Sequence, residues 1–364
     1  MNTGSRTGRL TCAAVTVLLM LLGNVARAQK DKITLADGKE ELVTILSEDF
    51  DSLRYSLQGG TAGHRWKEVV AVRYAGAEKY YQALDPFNAG RFGEAVPLFE
   101  ALYADTKLRP LVKHSVFYHL ALAYQRIGKP DKAIATYQEL VTAFPKSRHL
   151  LAVSGNLLSI HLERGDMANA QKAIDTAMAT AKDADASLQA GFDLLRGRLL
   201  EEQKKFAEAE NVFAKSASTA GADADVVGAA KLGGARCAQR SGQTAEAQRR
   251  YSELTDLDVS NNVHAGAWNG LGDIALDQAT QKRDAEGLRV ALFAYLHTVV
   301  MYVPEADGPT DEFERGLAGA SKAFKAIGEV EKKPDVKKLF NDRAKACRDQ
   351  LAAEHADSPY LKGL

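Results

Sequence analysis

Only a few residues of this chain stand in patterns that could perform chemistry. Residues 270–275 read Gly-Leu-Gly-Asp-Ile-Ala and match the G-x-G-x-x-A pattern of dinucleotide-binding loops. Such a loop binds a pyrophosphate only where it joins a strand to the start of a helix. Residues 262–269 instead have the pattern of a helix that runs into both glycines. We therefore interpret Gly270 and Gly272 as helix-packing positions and predict no cofactor.

The eight histidines show no metal-ligand spacing. His114 and His119 are five residues apart, which places them on different faces of a helix, and His149 and His161 lie in separate turns. The sequence contains no H-E-x-x-H, C-x-x-C, P-loop or G-x-S-x-G pattern. We expect the histidines not to cluster, and we predict no metal site, no catalytic residues and no enzyme activity.

The first 28 residues have the pattern of a secretory signal. Arg6 and Arg9 precede the apolar run 10–22, and the small-x-small triplet 26–28 follows it. The run is shorter than the ~20 residues of a membrane-spanning helix. We expect cleavage after Ala28 and a periplasmic or secreted protein without a membrane span; an uncleaved anchor is the alternative.

Composition excludes a strong general attraction to nucleic acids or membranes. The whole chain carries 47 basic and 47 acidic residues, and loss of residues 1–28 removes three arginines and no acids. The mature chain is therefore slightly acidic. With 46% apolar and 26% charged residues, it has the composition of an ordinary soluble fold.

A sequence repeat predicts the secondary-structure elements that would position any site. Five alanines recur at intervals of 37 to 39 residues, each five residues after a glycine or, once, a lysine, and four residues before a large apolar side chain. A second residue, small in four of the five units, precedes each alanine by twelve. A period of this size indicates stacked helix pairs that bury apolar faces against their neighbours. The alanines are Ala95, Ala133, Ala170, Ala209 and Ala247.

The unit at residues 117–145 is the clearest. Apolar residues at helical spacing lead to Gly128-Lys129-Pro130, a second helical pattern contains Ala133 and Tyr137, and Pro145 ends the pair. This unit closely resembles a tetratricopeptide repeat. The resemblance implies a mostly α protein in which residues 77–357 form a helix-hairpin solenoid of about seven pairs, followed by a C-terminal tail at residues 358–364. The last two pairs are expected to be irregular, with a long loop at the charged stretch 278–286.

Residues 29–76 form a different module. Ile33 to Leu35, the turn Asp37-Gly38 and the β-branched run 42–46 predict a hairpin, and residues 53–57 and 66–74 continue in strand-like patterns. Three or four short strands are expected. Because so small a module rarely sustains its own core, it should pack against the first helices or close into a small barrel.

Two cysteines, Cys237 and Cys347, remain in the mature chain and fall two units apart. A linear stack does not bring such positions within disulfide distance. We expect both to be packed free thiols.

The resemblance also implies a binding surface, because the first helices of tetratricopeptide pairs line a concave groove. Carried onto this sequence, it selects Tyr118, Leu122, Gln125, Arg126, Arg198, Arg236, Gln239, Arg240 and Asn269. Arginines pair bidentately with carboxylates, which suits an acidic peptide or a chain terminus. The alternative is that these arginines are solvated and pair with Glu201 or Glu202. Few aromatic residues are selected, which argues against nucleic acid.

The sequence therefore predicts a non-catalytic protein–protein interaction scaffold of the cell envelope that binds a peptide or protein in its groove. One alternative is a structural subunit that assembles through the β module. Another is an enzyme, which a pocket with converging acidic and basic groups of shifted ionisation would favour.

Overall fold

The computed structural model describes residues 30–57, 59–304, 310–356 and 358–364. The predicted signal segment lies outside these ranges. Within them, no helix is long and apolar enough to cross a membrane.

The N-terminal module is a five-stranded antiparallel sheet in the order β4-β3-β2-β1-β5. The prediction of three or four strands missed β4, since Gly-Thr-Ala-Gly-His-Arg has no apolar alternation. An edge strand needs no apolar face when it covers little of the core. The strands are β1 Asp31–Leu35, β2 Glu40–Glu48, β3 Ser52–Leu57, β4 Gly60–Arg65 and β5 Val69–Arg73.

Fourteen α-helices follow among the described residues and form seven consecutive pairs, as predicted. In pair order they are α1 Glu78–Asn88 and α2 Phe92–Tyr103, α3 Pro110–Arg126 and α4 Pro130–Ala143, α5 Leu150–Glu163 and α6 Met167–Thr180, α7 Ala186–Glu202 and α8 Phe206–Ser218, α9 Ala224–Arg240 and α10 Thr244–Thr255, α11 Asn261–Lys282 and α12 Ala285–Met301, and α13 Asp311–Val330 and α14 Pro334–Glu354. A short 3₁₀ turn, Pro359–Leu361, follows the last pair.

The repeated small residues hold the pairs together. All five repeat alanines are fully buried, and so are their partners twelve residues earlier. The repeated glycines follow the first helix of each pair with positive φ, a conformation that ends a helix and favours glycine. In the fourth unit, Lys204 adopts it with a φ of 59°.

Aromatic side chains of the second helices pack against glycines of the first helices. A Cβ atom on Gly197 or Gly233 would lie 2.5 Å from the Phe213 ring, so this ring sits between α7 and α9. A Cβ on Gly270 would lie 2.3 Å from the Tyr251 ring. The packing interpretation of the G-x-G-x-x-A pattern therefore agrees with the structure, in which one helix runs through all of it.

The charged stretch 278–286 is not the long loop that was expected. Helix α11 continues to Lys282 and α12 begins at Ala285. The chain reverses at Arg283, whose φ of 51° again provides the left-handed end of a helix. The prediction was wrong because charged residues are as common in the exposed last turn of a helix as in a loop.

The sheet packs against the first helices, one of the two expected arrangements, and shares a continuous core with α1 to α5. Its polar anchor is Asp31, which is buried. The Asp31 carboxylate accepts hydrogen bonds from the backbone N–H groups of Ile45 and Ala75, both at 2.8 Å, and from Arg109 Nη1 at 2.6 Å and Nη2 at 2.8 Å. The guanidinium at the start of α3 therefore fixes the module to the helices.

The module reaches along the helices as far as the fourth pair. Phe50, in the β2–β3 turn, packs into the core of α5 to α7. The backbone N–H of Asp185 donates to Asp51 Oδ1 at 3.3 Å, just before α7. Both cysteines are free thiols, Cys237 buried and Cys347 half-buried.

Candidate functional site

A recess of about 780 Å³ contains several of the residues predicted to line a groove. Four first helices, α7, α9, α11 and α13, supply most of its walls, and the C-terminal Tyr360 adds to one side. We call this recess the groove. Its charged lining residues are Arg198, Glu201, Glu202, Arg236, Arg240, Asp273, Asp277, Asp311, Glu312 and Arg315.

The groove brings together four of the nine residues selected from the sequence: Arg198, Arg236, Gln239 and Arg240. Asn269 is fully buried behind the wall, where its side-chain amide donates to the backbone carbonyl of Glu312 at 2.7 Å and to the Glu312 carboxylate at 2.9 Å. It supports the groove and does not face it.

The four residues selected from α3 lie outside the groove lining. Tyr118 stacks on the His149 ring with a centroid distance of 4.4 Å, Gln125 accepts a hydrogen bond from Tyr137, and Leu122 is half-buried. Arg126 is exposed, with its guanidinium 5.9 Å from the Phe92 ring. Their partner-binding role stays a prediction.

Two of the groove arginines are neutralised from within the protein. Arg236 Nε donates to the buried Glu201 carboxylate at 3.0 Å, and Arg240 lies 3.5 Å from the same carboxylate and 3.9 Å from Glu202. Two of the four selected arginines therefore pair with Glu201 or Glu202, as the alternative held, whereas Arg126 and Arg198 do not. The pairs connect α9 to α7 instead of joining successive turns of one helix.

Sequence reasoning missed the second ion-pair network of the groove. Arg315 of α13 contacts both Asp273 of α11 and Glu312, and the Tyr295 hydroxyl donates to Asp273. Arg315 and Asp273 are 42 residues apart in the sequence. No spacing rule within one helix or one repeat reveals such a contact.

The remaining charges of the groove have no close partner. Arg198, Asp277 and Asp311 make no hydrogen bond or ion pair with another described residue. Burial raises the pKa of the Asp277 carboxyl, with Asp273 adding to the effect, and burial with the nearby Glu314 raises the pKa of Asp311. Burial and Arg236 lower the pKa of Arg198. Asp277 and Asp311 remain exposed to solvent, Arg198 is half-buried, and Arg198 and Asp311 attract each other without forming a close ion pair.

The charge balance differs from the expected one. Six carboxylates and four guanidinium groups line the groove, so its lining carries a formal charge of −2. Glu163 of α5 stands beside it, with a pKa raised by burial and by Asp311. The sequence selected arginines and no acidic residues for this surface, but the first helices place six carboxylates beside them. The lining therefore does not favour an acidic partner.

The groove meets part of the condition set for an enzyme, since it holds acidic and basic groups with shifted pKa values. Its described lining contains no serine, cysteine, histidine or lysine that could act as a nucleophile or imidazole base. Carboxylates and arginines alone bind charged groups as readily as they transfer protons.

A nucleophile–base–acid arrangement does occur elsewhere. His114 Nδ1 lies 2.9 Å from Ser147 Oγ, and His114 Nε2 lies 3.2 Å from the buried Glu48 carboxylate. Ser147 is buried where the sheet meets the helices, and its Oγ also accepts the backbone N–H of His149. The hydroxyl has no approach for a substrate, so this arrangement is structural.

The expectation that the histidines do not cluster is wrong for three of them. The His149 ring lies 5.4 Å from His114 and 6.2 Å from His119, because α5 packs beside α3. The described residues contain no group of side chains that could hold a metal ion. His161 lies apart and faces Asp166.

Comparison with known families resolves the repeat. A tetratricopeptide repeat model matches residues 232–295, which contain α10, α11 and the contact of Gly270 with Tyr251. The chain is a tetratricopeptide repeat protein. A second model, described as 26S proteasome subunit RPN7, matches residues 99–232. No curated protein matches the sequence.

Several solved structures are similar to this tetratricopeptide repeat protein. PilW, titled a widely conserved type IV pilus biogenesis factor, is 18% identical with a TM-score of 0.43 over 70% of this chain and 98% of its own. A tetratricopeptide repeat protein from Parabacteroides merdae is 17% identical with a TM-score of 0.46 over 74% and 98%. PilF of Pseudomonas aeruginosa is 14% identical with a TM-score of 0.41 over 68% and 95%.

Proposed function

We propose that this protein is a non-catalytic interaction scaffold that binds a segment of another protein in the groove. The observation that carries the proposal is a recess built from four successive first helices in which Arg198, Asp277 and Asp311 keep their charges without a close partner. Accessible charges that have no close ion-pair partner favour a ligand of complementary charge.

The partner segment carries at least one basic side chain. Asp277 and Asp311 both have raised pKa values, so a lysine or arginine beside them would lower the cost of their ionisation. A single free guanidinium, Arg198, is suited to a carboxylate or backbone carbonyl of the same segment. The acidic partner expected from the sequence fits this balance less well than a segment of mixed charge.

The proposed location is the cell envelope. It rests on the signal pattern of residues 1–28, which predicts export with cleavage after Ala28. Binding of nucleic acid is not proposed, because the acidic carboxylates of the groove repel phosphate groups.

The test compares capture of partners by the parent protein and by an Asp277→Asn/Asp311→Asn variant, using an envelope extract and quantitative mass spectrometry. A Glu94→Gln/Glu286→Gln variant is the matched control, since it removes two carboxylates that are exposed and lie outside the groove. Partners that the control retains and the groove variant loses are then purified, and their affinities are measured by calorimetry.

We expect the groove variant to bind such a partner about tenfold or more weakly, which corresponds to at least one lost charge-assisted contact. Thermal unfolding of the variant should be unchanged or slightly improved, since the removed charges are uncompensated. Equal capture by all three proteins would contradict the assignment of the groove. Arg236 is not a suitable probe, because its removal takes the closer of two guanidinium partners from the buried Glu201.

A further inference from the structure

The second helix of the sixth pair, α12, has an exposed apolar side away from the groove. Val290, Phe293, Val300 and Met301 of this helix are each more than half exposed, and so is Val303 just beyond its end. Isolated exposed apolar residues are ordinary, but a contiguous group of them marks an interaction surface. No other helix in the described residues exposes more than one large apolar side chain.

The spacing along α12 suits a partner helix. Val290, Phe293, His297 and Val300 follow each other at intervals of three, four and three residues, which is the a/d spacing of packed helices. With Met301 they cover an arc of about 100° on the helix surface. We call these five residues the α12 seam. Exposed residues with this spacing over about two heptads can form one side of a helix–helix contact.

The charge pattern restricts what covers the seam. Residues 290–304 contain no aspartate, glutamate, lysine or arginine. His297 lies among Trp268, Phe293 and Tyr302, and burial with the nearby His264 lowers its pKa. A surface of anionic lipid or a charged peptide would find no counter-charge along the seam itself, whereas an equally uncharged helix would match it.

The same surface holds both a projection and a recess. The Phe293 side chain is 60% exposed, and beside it lies a cavity of about 390 Å³. Trp268, Leu271 and Val290 are among its apolar lining residues, and Lys282 and Asp284 line it as well. A twofold contact between identical subunits requires such self-complementary features within one patch. The seam exposes on the order of 500 Å² of apolar surface, compared with the ~800 Å² per partner of a standard interface.

We propose that this protein forms a twofold dimer in which the α12 seam of one copy packs against the α12 seam of a second copy. Phe293 of each copy occupies the recess beside Trp268 of the other. This places self-association on the solenoid, not on the β module, and leaves the groove of each copy open. The inference is independent of the proposed function of the groove.

The test measures the mass of the purified protein in solution by sedimentation velocity and light scattering over micromolar concentrations. We expect the parent to be a dimer and the Phe293→Glu and Val300→Glu variants to be monomers, with dimerisation weakened about 100-fold or more by burial of an unpaired charge. Far-UV circular dichroism should be unchanged, because the parent side chains are exposed in the single chain. A variant that loses helix content is replaced by Phe293→Ser.

Two control variants locate the interface. Leu339→Glu changes an exposed apolar residue of α14, and Val70→Glu changes one of β5. Both should remain dimers. A monomeric parent, a dimer that persists in Phe293→Glu, or loss of the dimer in Val70→Glu would each overturn the inference.

Discussion

Replacement of Lys204 by glycine should stabilise the protein. Lys204 follows α7 with a φ of 59°, and the equivalent residues of the other four units are glycines with φ between 68° and 79°. Its backbone N–H donates to Glu201 O at 3.0 Å, and the next N–H donates to Leu200 O at 2.9 Å. The fourth unit therefore keeps the cap geometry of the others with an unfavourable residue.

The magnitude follows from two opposing contributions. A left-handed conformation costs a non-glycine residue about 1–2 kcal/mol. Glycine gives back about 0.5–1 kcal/mol of this, because it has more conformational freedom to lose on folding. The Lys204 side chain is exposed and makes no ion pair with another described residue, so its loss removes little. We expect a net gain of about 0.5–1 kcal/mol.

Urea unfolding followed by circular dichroism measures this gain, which corresponds to a shift of about 2 °C in a thermal scan. Lys205→Gly is the matched control, since Lys205 has a φ of −88°, which a non-glycine residue adopts without strain, and its replacement should gain nothing. Gly128→Ala, which places a side chain at a φ of 68°, should lose about 1 kcal/mol. If Lys204→Gly is no more stable than Lys205→Gly, the argument from the left-handed cap is refuted.

Three further outcomes are expected. Arg109→Met leaves the buried Asp31 carboxylate without its guanidinium and should lower the free energy of unfolding by about 3 kcal/mol in urea, with Arg109→Lys intermediate; an unchanged midpoint would show that this pair does not anchor the sheet. Burial lowers the pKa of His119 to about 4, so the folded protein binds fewer protons than the unfolded chain between about pH 4 and 6.5. Stability should be complete above about pH 6.5 and fall toward pH 4 by up to about 3 kcal/mol, and His119→Gln should flatten this dependence. Gly270→Ala places a methyl group against the Tyr251 ring and should cost about 1–3 kcal/mol in thermal unfolding; a neutral effect would contradict the packing role of this glycine.

Much of the fold was predictable because its signals are local. A buried alanine recurs in all five units, with a left-handed helix end before it and a large apolar side chain one turn after it, and each is imposed by contacts within one helix pair. Strand β4 and the end of α11 were not predictable in this way. Their sequences are polar, and only their neighbours in space make them part of a sheet or a helix.

The binding surface was only partly predictable. The repeat register led to Arg198, Arg236, Gln239 and Arg240, which do line one recess. It also led to Asn269, which is buried because a glutamate 43 residues later accepts its amide. The four residues selected from α3 do not line this recess, since α3 packs near the sheet and the aromatic core.

The sequence by itself determined that this chain forms stacked helix pairs behind a small β module, because apolar periodicity and helix-end residues act over a few residues. Only the tertiary structure decided the net charge of the groove lining and which of its charged side chains lack a close partner. Arg236 is neutralised by Glu201 from 35 residues away, whereas Arg198 and Asp311 stay without a close partner. Coulomb interactions depend on distance in space, and superhelical stacking sets those distances independently of separation along the chain.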